Sequence, residues 1–389
     1  MTTLPAADWL TRPDLAVLVK AMGAKNARYV GGAVRDTLLG IAVKDVDIAT
    51  PLEPQEVMRR LKAHSITVIP TGIEHGTVTA VLKGGPVEIT TLRHDVSTDG
   101  RRATVAFASD WQDDAARRDF TINALYADPE TLEVFDWFGG LEDLAARRLR
   151  FIGDARQRIR EDHLRILRYF RFQARFGSQP ADEEAESAVA ELAATLKGLS
   201  RERVGMEMMN LLGLPDPAPT VARMAELGVL AVVLPEADVA ALVALVAQEQ
   251  AQDVAPDALR RLAALLPADV PLAESVASRF RLSGAQKKRL ALAAGRDGGE
   301  CEARALAYRL GVEAALDRLL LTGQPISALR DWDVPVFPLK GGDIVARGVK
   351  AGPEVARVLR AVEARWIAAG FADAKVPALL DAELAGGAA

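Results

Sequence analysis

Residues 28 to 47 read Arg-Tyr-Val-Gly-Gly-Ala-Val-Arg-Asp-Thr-Leu-Leu-Gly-Ile-Ala-Val-Lys-Asp-Val-Asp, and their order decides the fold. Arg28, Tyr29 and Val30 have the make-up of a short strand, Gly31-Gly32 of a tight turn, and Ala33 to Leu39 of a helix stopped by Gly40. Two glycines let a backbone approach phosphate oxygens closely, the helix that follows aims unpaired N–H groups at them, and an arginine adds fixed charge. Gly32 and Arg35 are therefore candidates for holding a triphosphate. A second strand is expected over Val43 to Ile48, with side chains alternating between its faces. Asp45 and Asp47 then share one face, with Val46 and Ile48 on the other. Neighbouring carboxylates repel, a bound divalent cation relieves them, and oxygen-only ligands favour Mg²⁺ or Mn²⁺. A lone Asp-x-Asp is ordinarily a solvated strand end and a lone Gly-Gly a loop; the ordered combination is far more specific.

Working outward, Asp8 to Lys20 has a helical pattern, and Pro51 and Pro54 introduce a helix over Gln55 to Ala63 of the kind that covers a sheet. Ile66 to Ile69, Thr77 to Leu82 and Val87 to Leu92 are rich in β-branched residues, and Lys83-Gly84-Gly85-Pro86 joins the last two as a hairpin. Glu88 lies on the last of these strands, either as a solvated glutamate or as a third acid beside Asp45 and Asp47. His94 to Trp111 shows little pattern and reads as a long, polar, mobile loop. Beyond it, Arg118 offers a planar fork to a phosphate or sugar oxygen, and Asp119 can accept from a ribose hydroxyl. Val134 to Phe138, followed by Gly139-Gly140, closes the sheet domain.

Strand, Gly-Gly, Val-Arg-Asp, then strand with Asp-x-Asp resembles the first signature of the DNA polymerase β nucleotidyltransferase superfamily. The form is that of class II tRNA nucleotidyltransferases (CCA-adding enzymes) and bacterial poly(A) polymerases. Arg117-Arg118-Asp119-Phe120-Thr121-Ile122-Asn123-Ala124 is similar to a second box of that family, and Glu88-Ile-Thr-Thr-Leu-Arg93 resembles its strand with the third acid. The resemblance implies Asp45, Asp47 and Glu88 as catalytic acids, with Asp45 and Asp47 as metal ligands. Enzymes of this family that add only the two cytidines have a shortened loop where this chain keeps His94 to Trp111 at full length. Some bacterial relatives add a C-terminal His-Asp phosphohydrolase domain. Here His64, His75, His94 and His163 all precede residue 164, so that activity is set aside.

No strand pattern is convincing beyond Leu149, and the rest reads as helical. From Ala145 to Phe176 there are ten arginines against three acids, a stripe able to face phosphates or simply to be solvated. On a helical period Arg165, Arg168, Arg171 and Arg175 fall on one side of Glu161 to Phe172 and its continuation, opposite Ile166, Leu167, Phe170 and Ala174. Asp162, one turn before Arg165, makes either a helix salt bridge or one half of a base reader. Cytosine and adenine both present an amine beside a ring-nitrogen acceptor, so a carboxylate and a guanidinium together accept CTP and ATP while UTP and GTP mismatch. Glu161-Asp162-x-x-Arg165-x-x-Arg168 is similar to the family's nucleotide-selection motif. By that resemblance Asp162 and Arg165 read the base, and Arg168 and Arg171 hold the helix and the triphosphate. Ser200-Arg-Glu-Arg-Val-Gly-Met-Glu looks like a capped helix start and matches the family's last, weaker signature. Lys287-Lys288-Arg289 and Lys340, Arg347 and Lys350 are candidates for tRNA phosphate contacts, the resemblance being thin beyond residue 215.

Composition sets the outer bounds. The 389 residues carry a net charge of -5 and are 50% hydrophobic, enough for several cores but not the balance of a general nucleic-acid binder. Cys301 is the only cysteine, which leaves no intrachain disulfide. Met1 to Gly23 has neither the basic start nor the apolar core of a signal peptide, and no apolar run reaches membrane length, so a soluble cytoplasmic protein is expected. The expected fold is α+β: an N-terminal nucleotidyltransferase head over 1–148 with a mixed sheet and flanking helices, a helical neck over 149–214, and a helical, tRNA-binding body and tail over 215–389. The expected activity is addition of CCA to the tRNA 3′ end from CTP and ATP with Mg²⁺ or Mn²⁺ and no membrane. The rivals are a poly(A) polymerase, a CC-only or A-only enzyme, and an RNA-binding protein with a dead head. Composition sets no oligomeric state.

Overall fold

The computed structural model describes residues 2–99, 102–108, 110–297 and 302–386, with residues 94–99 and 102–107 described as backbone. It divides into two compact units, Met1–Val239 and Ala240–Ala389. In the first unit the strands are β1 (Arg28–Val30), β2 (Val46–Thr50), β3 (Thr67–Gly72), β4 (Thr77–Leu82), β5 (Gly85–Thr91), β6 (Arg93–Asp99), β7 (Arg102–Phe107), β8 (Tyr126–Ala127) and β9 (Val134–Phe135). Seven of them form one mixed sheet in the order β3-β4-β5-β2-β1-β8-β9, and β6 and β7 form a separate hairpin. Only β2 and β5 run parallel within the large sheet, and their crossover contains a helix over Pro54–Ala63.

The helices that position the site are α1 (Pro13–Met22), α2 (Gly32–Leu38), α3 (Pro54–Ala63), α4 (Trp111–Ala116), α5 (Gly140–Ala145), α6 (Ala155–Glu161), α7 (Arg165–Phe176), α8 (Glu183–Leu192) and α9 (Arg201–Leu212). Helix α3 packs on β3 and β4 and buries Val57 and Leu61. The sheet alternates as a one-sided sheet must: Val46, Ile48, Val87 and Ile89 are buried, while Asp47 and Glu88 stand on the opposite face. That open face is where the acids lie. Phe120, Phe151, Tyr169 and Phe172 form an aromatic cluster with centroids 4.9 to 6.4 Å apart. This cluster ties α7 to the box around Asp119 by area burial and edge contacts.

Four expectations change. The second strand begins at Val46, not Val43, so Asp45 precedes it. Extending the β2–β5 register by one residue would place Asp45 opposite Pro86, which has no N–H to give a ladder. The helix expected over Asp8 to Lys20 breaks at Arg12: a 3₁₀ turn covers Asp8–Thr11, and α1 starts with Pro13 in its first turn, where a missing N–H is harmless. The segment read as a patternless loop is mostly a hairpin, with Arg93 paired to Phe107 and Asp99 to Arg102. The overlooked signal is the pair of β-branched runs holding Val96, Thr98, Thr104 and Val105. Finally, Glu161 to Phe172 is not one helix, because α6 ends at Glu161 and α7 begins at Arg165. Asp162 is extended (φ -150°) and its Oδ1 accepts from Leu164 N at 3.1 Å, the behaviour of a residue that starts helices rather than continues them.

The second unit is helical throughout its described residues. Its interior combines apolar clusters around Leu319 and Leu320 and around Trp366, Val358 and Val362 with a buried ion network. Arg260 donates to Glu249 and Asp317, Arg261 to Glu249, and Arg289 to Asp317 and Asp257. Arg289 therefore serves the fold through the buried Asp317, whereas Arg347 meets Asp381 in an exposed ion pair that leaves its guanidinium open to solvent. Among the described residues no helix is long and apolar enough to cross a membrane.

Candidate functional site

The site grows from the turn between β1 and α2. Gly31 has φ +67°, a left-handed conformation that favours glycine, and its backbone lies beside the guanidinium of Arg118. Gly31 N donates to Leu125 O at 3.1 Å, and Arg35 N closes the first helical turn on Gly31 O at 3.0 Å. The turn thereby brings the N-terminus of α2 and the guanidinium of Arg118 to one place.

Beside it, parallel pairing sets Asp47 directly opposite Glu88, as their sharing of a face requires. Strands in a sheet lie about 4.8 Å apart, so the two carboxylates are close neighbours. Burial first, then the charge of Glu88, pushes the Asp47 carboxyl up to about 6; Arg118 opposes and Asp45 adds to the rise. Three acids and one arginine thus feel one another. Among the described residues no group of three or more His, Cys, Asp and Glu is already closed around a point. The donor chemistry nonetheless fits a hard divalent cation: all-oxygen, anionic, and destabilised by its own repulsion in the absence of one.

Arg118 is held in turn. Its Nε donates to the Tyr126 hydroxyl at 2.9 Å and its Nη2 approaches Asp114 at 3.3 Å. Asp114, 1% exposed, also takes Arg117 and the backbone N–H of Arg93 at the root of the β6–β7 hairpin. Burial would raise the Asp114 carboxyl, but the charges of Arg118 and Arg117 and the Tyr126 hydrogen bond hold it below its ordinary range.

The remaining expected residues form a second network, between the box after α4 and helices α7 and α9. Asp119 accepts from its neighbour Phe120 N at 2.8 Å, from Asn123 Nδ2 at 3.0 Å and from Arg168 Nε and Nη2 at 2.8 and 2.6 Å. Burial opposes its ionisation, yet Arg168 and the Asn123 hydrogen bond bring the carboxyl down to about 2. Arg35 is 5% exposed, donates to Asp36 and Asn123, and lies 4.1 Å over the Phe176 ring. Arg171 donates to Glu207 at 2.6 Å, and Arg175 reaches Asp36 at 3.3 Å. Arg165 donates to Glu161 Oε2 at 2.7 Å and to the carbonyls of Arg158 and Arg117, both at 2.9 Å. Every arginine of the expected stripe thus meets a carboxylate of its own chain.

Asp162 and Arg165 are not ion-paired to each other: Asp162 Oδ2 accepts from Arg203 Nη2 at 2.7 Å. The helix salt bridge weighed from spacing is therefore not formed, because the chain turns between the two residues. Sequence reasoning missed Asp114, Asn123, Arg203 and Glu207. Asn123 and Asp114 lay inside or beside a recognised box, while Arg203 and Glu207 carried only the weak signal of an i, i+4 pair in the last signature.

The poly A polymerase head domain family matches residues 27–150, and a family described as the probable RNA and SrmB-binding site of polymerase A matches residues 181–240. The mitochondrial CCA tRNA nucleotidyltransferase 1 of Mus musculus is 33% identical over 363 residues, covering 88% of this chain and 83% of its own. The CCA-adding enzyme of Geobacillus stearothermophilus is 42% identical over 205 residues, 52% of this chain and 49% of that protein. The crystal structure of the Bacillus stearothermophilus CCA-adding enzyme in complex with CTP aligns with TM-score 0.72 at 28% identity, over 93% of this chain and 94% of that one.

Proposed function

The chain belongs to the class II family of CCA-adding enzymes and bacterial poly(A) polymerases, and from that membership we propose the reaction and the residues that carry it. The protein adds or repairs the 3′-terminal CCA of tRNA, using CTP and then ATP, without a nucleic-acid template and with release of pyrophosphate. The observation that carries the assignment of residues is Asp47 facing Glu88 across two parallel strands, beside Arg118 and the Gly31-Gly32 turn.

In this reading the Gly31-Gly32 turn and the N-terminus of α2 receive the triphosphate, Gly32 through its backbone N–H and Arg118 through its fork. The tRNA 3′-hydroxyl enters over the open face of the sheet and attacks the α-phosphorus, while Glu88 flanks it as the third acid. Mg²⁺ or Mn²⁺ held by Asp45 and Asp47 would lower the hydroxyl pKa and neutralise charge on the leaving pyrophosphate. Asp162 and Arg165 read the base. Arg35, Asp119, Arg168 and Arg171 act chiefly by holding α7 against the head, since Arg168 grips Asp119, Arg35 and Asp119 both bond Asn123, and Arg171 bonds Glu207. The cytoplasm is the proposed place of action; the mouse relative is named mitochondrial, and fractionation of cells expressing a tagged chain decides.

The activity is tested with tRNA transcripts ending before CCA, after C and after CC, each with CTP, ATP or both, resolved at single-nucleotide length. Stepwise completion to CCA, and a stop there, is expected. A long A tail would make the enzyme a poly(A) polymerase, addition of only C or only A a partial enzyme, and no product a dead-head RNA binder.

The raised Asp47 carboxyl makes a separate prediction for the cation. Metal must displace a proton from Asp47 below about pH 6, so affinity falls as pH drops through that value. Millimolar Mg²⁺ should therefore raise the melting temperature clearly at pH 7.5 and little at pH 5. An equal rise at both would remove Asp47 from the ligand set.

A further inference from the structure

The signature over residues 200–207 has no part in the reaction described so far, yet it supplies the cation that, among the described residues, is ion-paired with Asp162. We infer that Arg203 is a positioning residue for nucleotide choice, holding the Asp162 carboxylate in the orientation that accepts from the amine of cytosine or adenine. The inference rests on the reading of Asp162 as half of the base reader.

Asp162 stands where the chain leaves α6 and has not yet entered α7, so no helix ladder fixes it. Its carboxylate is fixed instead by two bonds of different origin: Oδ1 accepts from Leu164 N at 3.1 Å and Oδ2 from Arg203 Nη2 at 2.7 Å. A carboxylate has about four lone-pair sites, so both oxygens keep capacity for a ligand while the plane of the group is set. Arg165 cannot do this work, because its own donors point to Glu161 and to the carbonyls of Arg158 and Arg117.

Arg203 is itself delivered from a rigid frame. One turn further along α9, Glu207 is 3% exposed, accepts from Arg171 at 2.6 Å and lies 3.7 Å from Arg168. Arg168 in turn grips Asp119. The helix that brings Arg203 to Asp162 is thus locked to α7 by a buried carboxylate, and through Arg168 to the box beside the acids. Without Arg203 only the local bond to Leu164 N restrains Asp162, and its side chain is free to leave the position where an amine is rewarded and a carbonyl penalised. Selection then weakens without any change in the groups that do the chemistry.

The test uses the full chain, tRNA ending before CCA and after CC, and each of the four nucleoside triphosphates, with kcat/KM measured for wild type, Arg203→Ala, Arg203→Lys, Asp162→Ala and the double variant Arg203→Ala/Asp162→Ala. Arg203→Ala should lower the preference for CTP over UTP, and for ATP over GTP, about tenfold, the size of one charge-assisted hydrogen bond. Arg203→Lys should recover part of it, since an ammonium keeps the charge without the fork. The double variant should discriminate no worse than Asp162→Ala alone. Thermal melts identify any variant that unfolds, in which case the lysine variant carries the test. Full preference in a folded Arg203→Ala, alongside loss in Asp162→Ala, overturns the inference, as does an additive double variant. Full preference in Asp162→Ala overturns the base-reading assignment itself, and Arg203 with it.

Discussion

Asp47→Asn is expected to lower kcat for nucleotide addition by about a thousandfold or more, the several kcal/mol that a correctly held metal contributes to such a transition state. The same substitution should leave the metal-free protein at least as stable at pH 7.5. Asp47 has a folded-state value of about 6 against an ordinary 3.8, so it favours the fold most below about pH 4 and loses that contribution as pH rises through 6. At pH 7.5 the ionised carboxylate is a liability on the order of 1–2 kcal/mol after allowance for partial solvent access, and the neutral amide removes it. Single-turnover rates with Mg²⁺, together with melting curves in chelator, check the two halves. A fall in both activity and stability would mean that Asp47 is structural, and normal activity would sink its assignment as a ligand.

The second large effect is expected at Arg165. Its guanidinium meets three acceptors on two segments: Glu161 and the carbonyl of Arg158 in α6, and the carbonyl of Arg117 in the box beside the acids. Arg165→Ala removes the donor half of the base reader, and discrimination against UTP and GTP should fall about ten- to hundredfold, the range for a good side-chain contact to a base edge. It also leaves two carbonyls and Glu161 short of a donor, at a stability cost of about 1–3 kcal/mol. Arg165→Lys keeps the charge but cannot span all three acceptors, so it should regain stability in part and selectivity poorly. Competition assays with mixed triphosphates measure the first effect and urea denaturation the second. Unchanged discrimination in a folded Arg165→Ala would refute the base-reading role while leaving the anchoring role intact.

Much of this was legible from residue order because it depends on local rules. The strand at Arg28–Val30 appears as expected, and the first glycine of the pair, Gly31, is called for by its positive φ. Glu88 was left by its own residues as either a solvated glutamate or a third acid, the family resemblance favoured the acid beside Asp47, and the pairing places it opposite. The stripe of Arg165, Arg168, Arg171 and Arg175 follows from the helical period, with Ile166, Leu167 and Phe170 buried on the far side. Where local signals compete, the reading slipped. Val43 looked like strand but precedes β2, the pairing of β6 with β7 was hidden by polar residues, and Asp162 broke a helix that the apolar period carried straight through.

Sequence by itself therefore determined the family, the order of strand, turn and acids, and which residue types could hold a triphosphate and a metal, since each follows from chemistry within a few residues. The tertiary structure alone decided which charge meets which. Arg168 reaches Asp119 across 49 positions, Arg203 reaches Asp162 across 41, and Arg171 reaches Glu207 across 36. A buried carboxylate must find a cation wherever the fold brings one, and no periodicity along the chain records that choice.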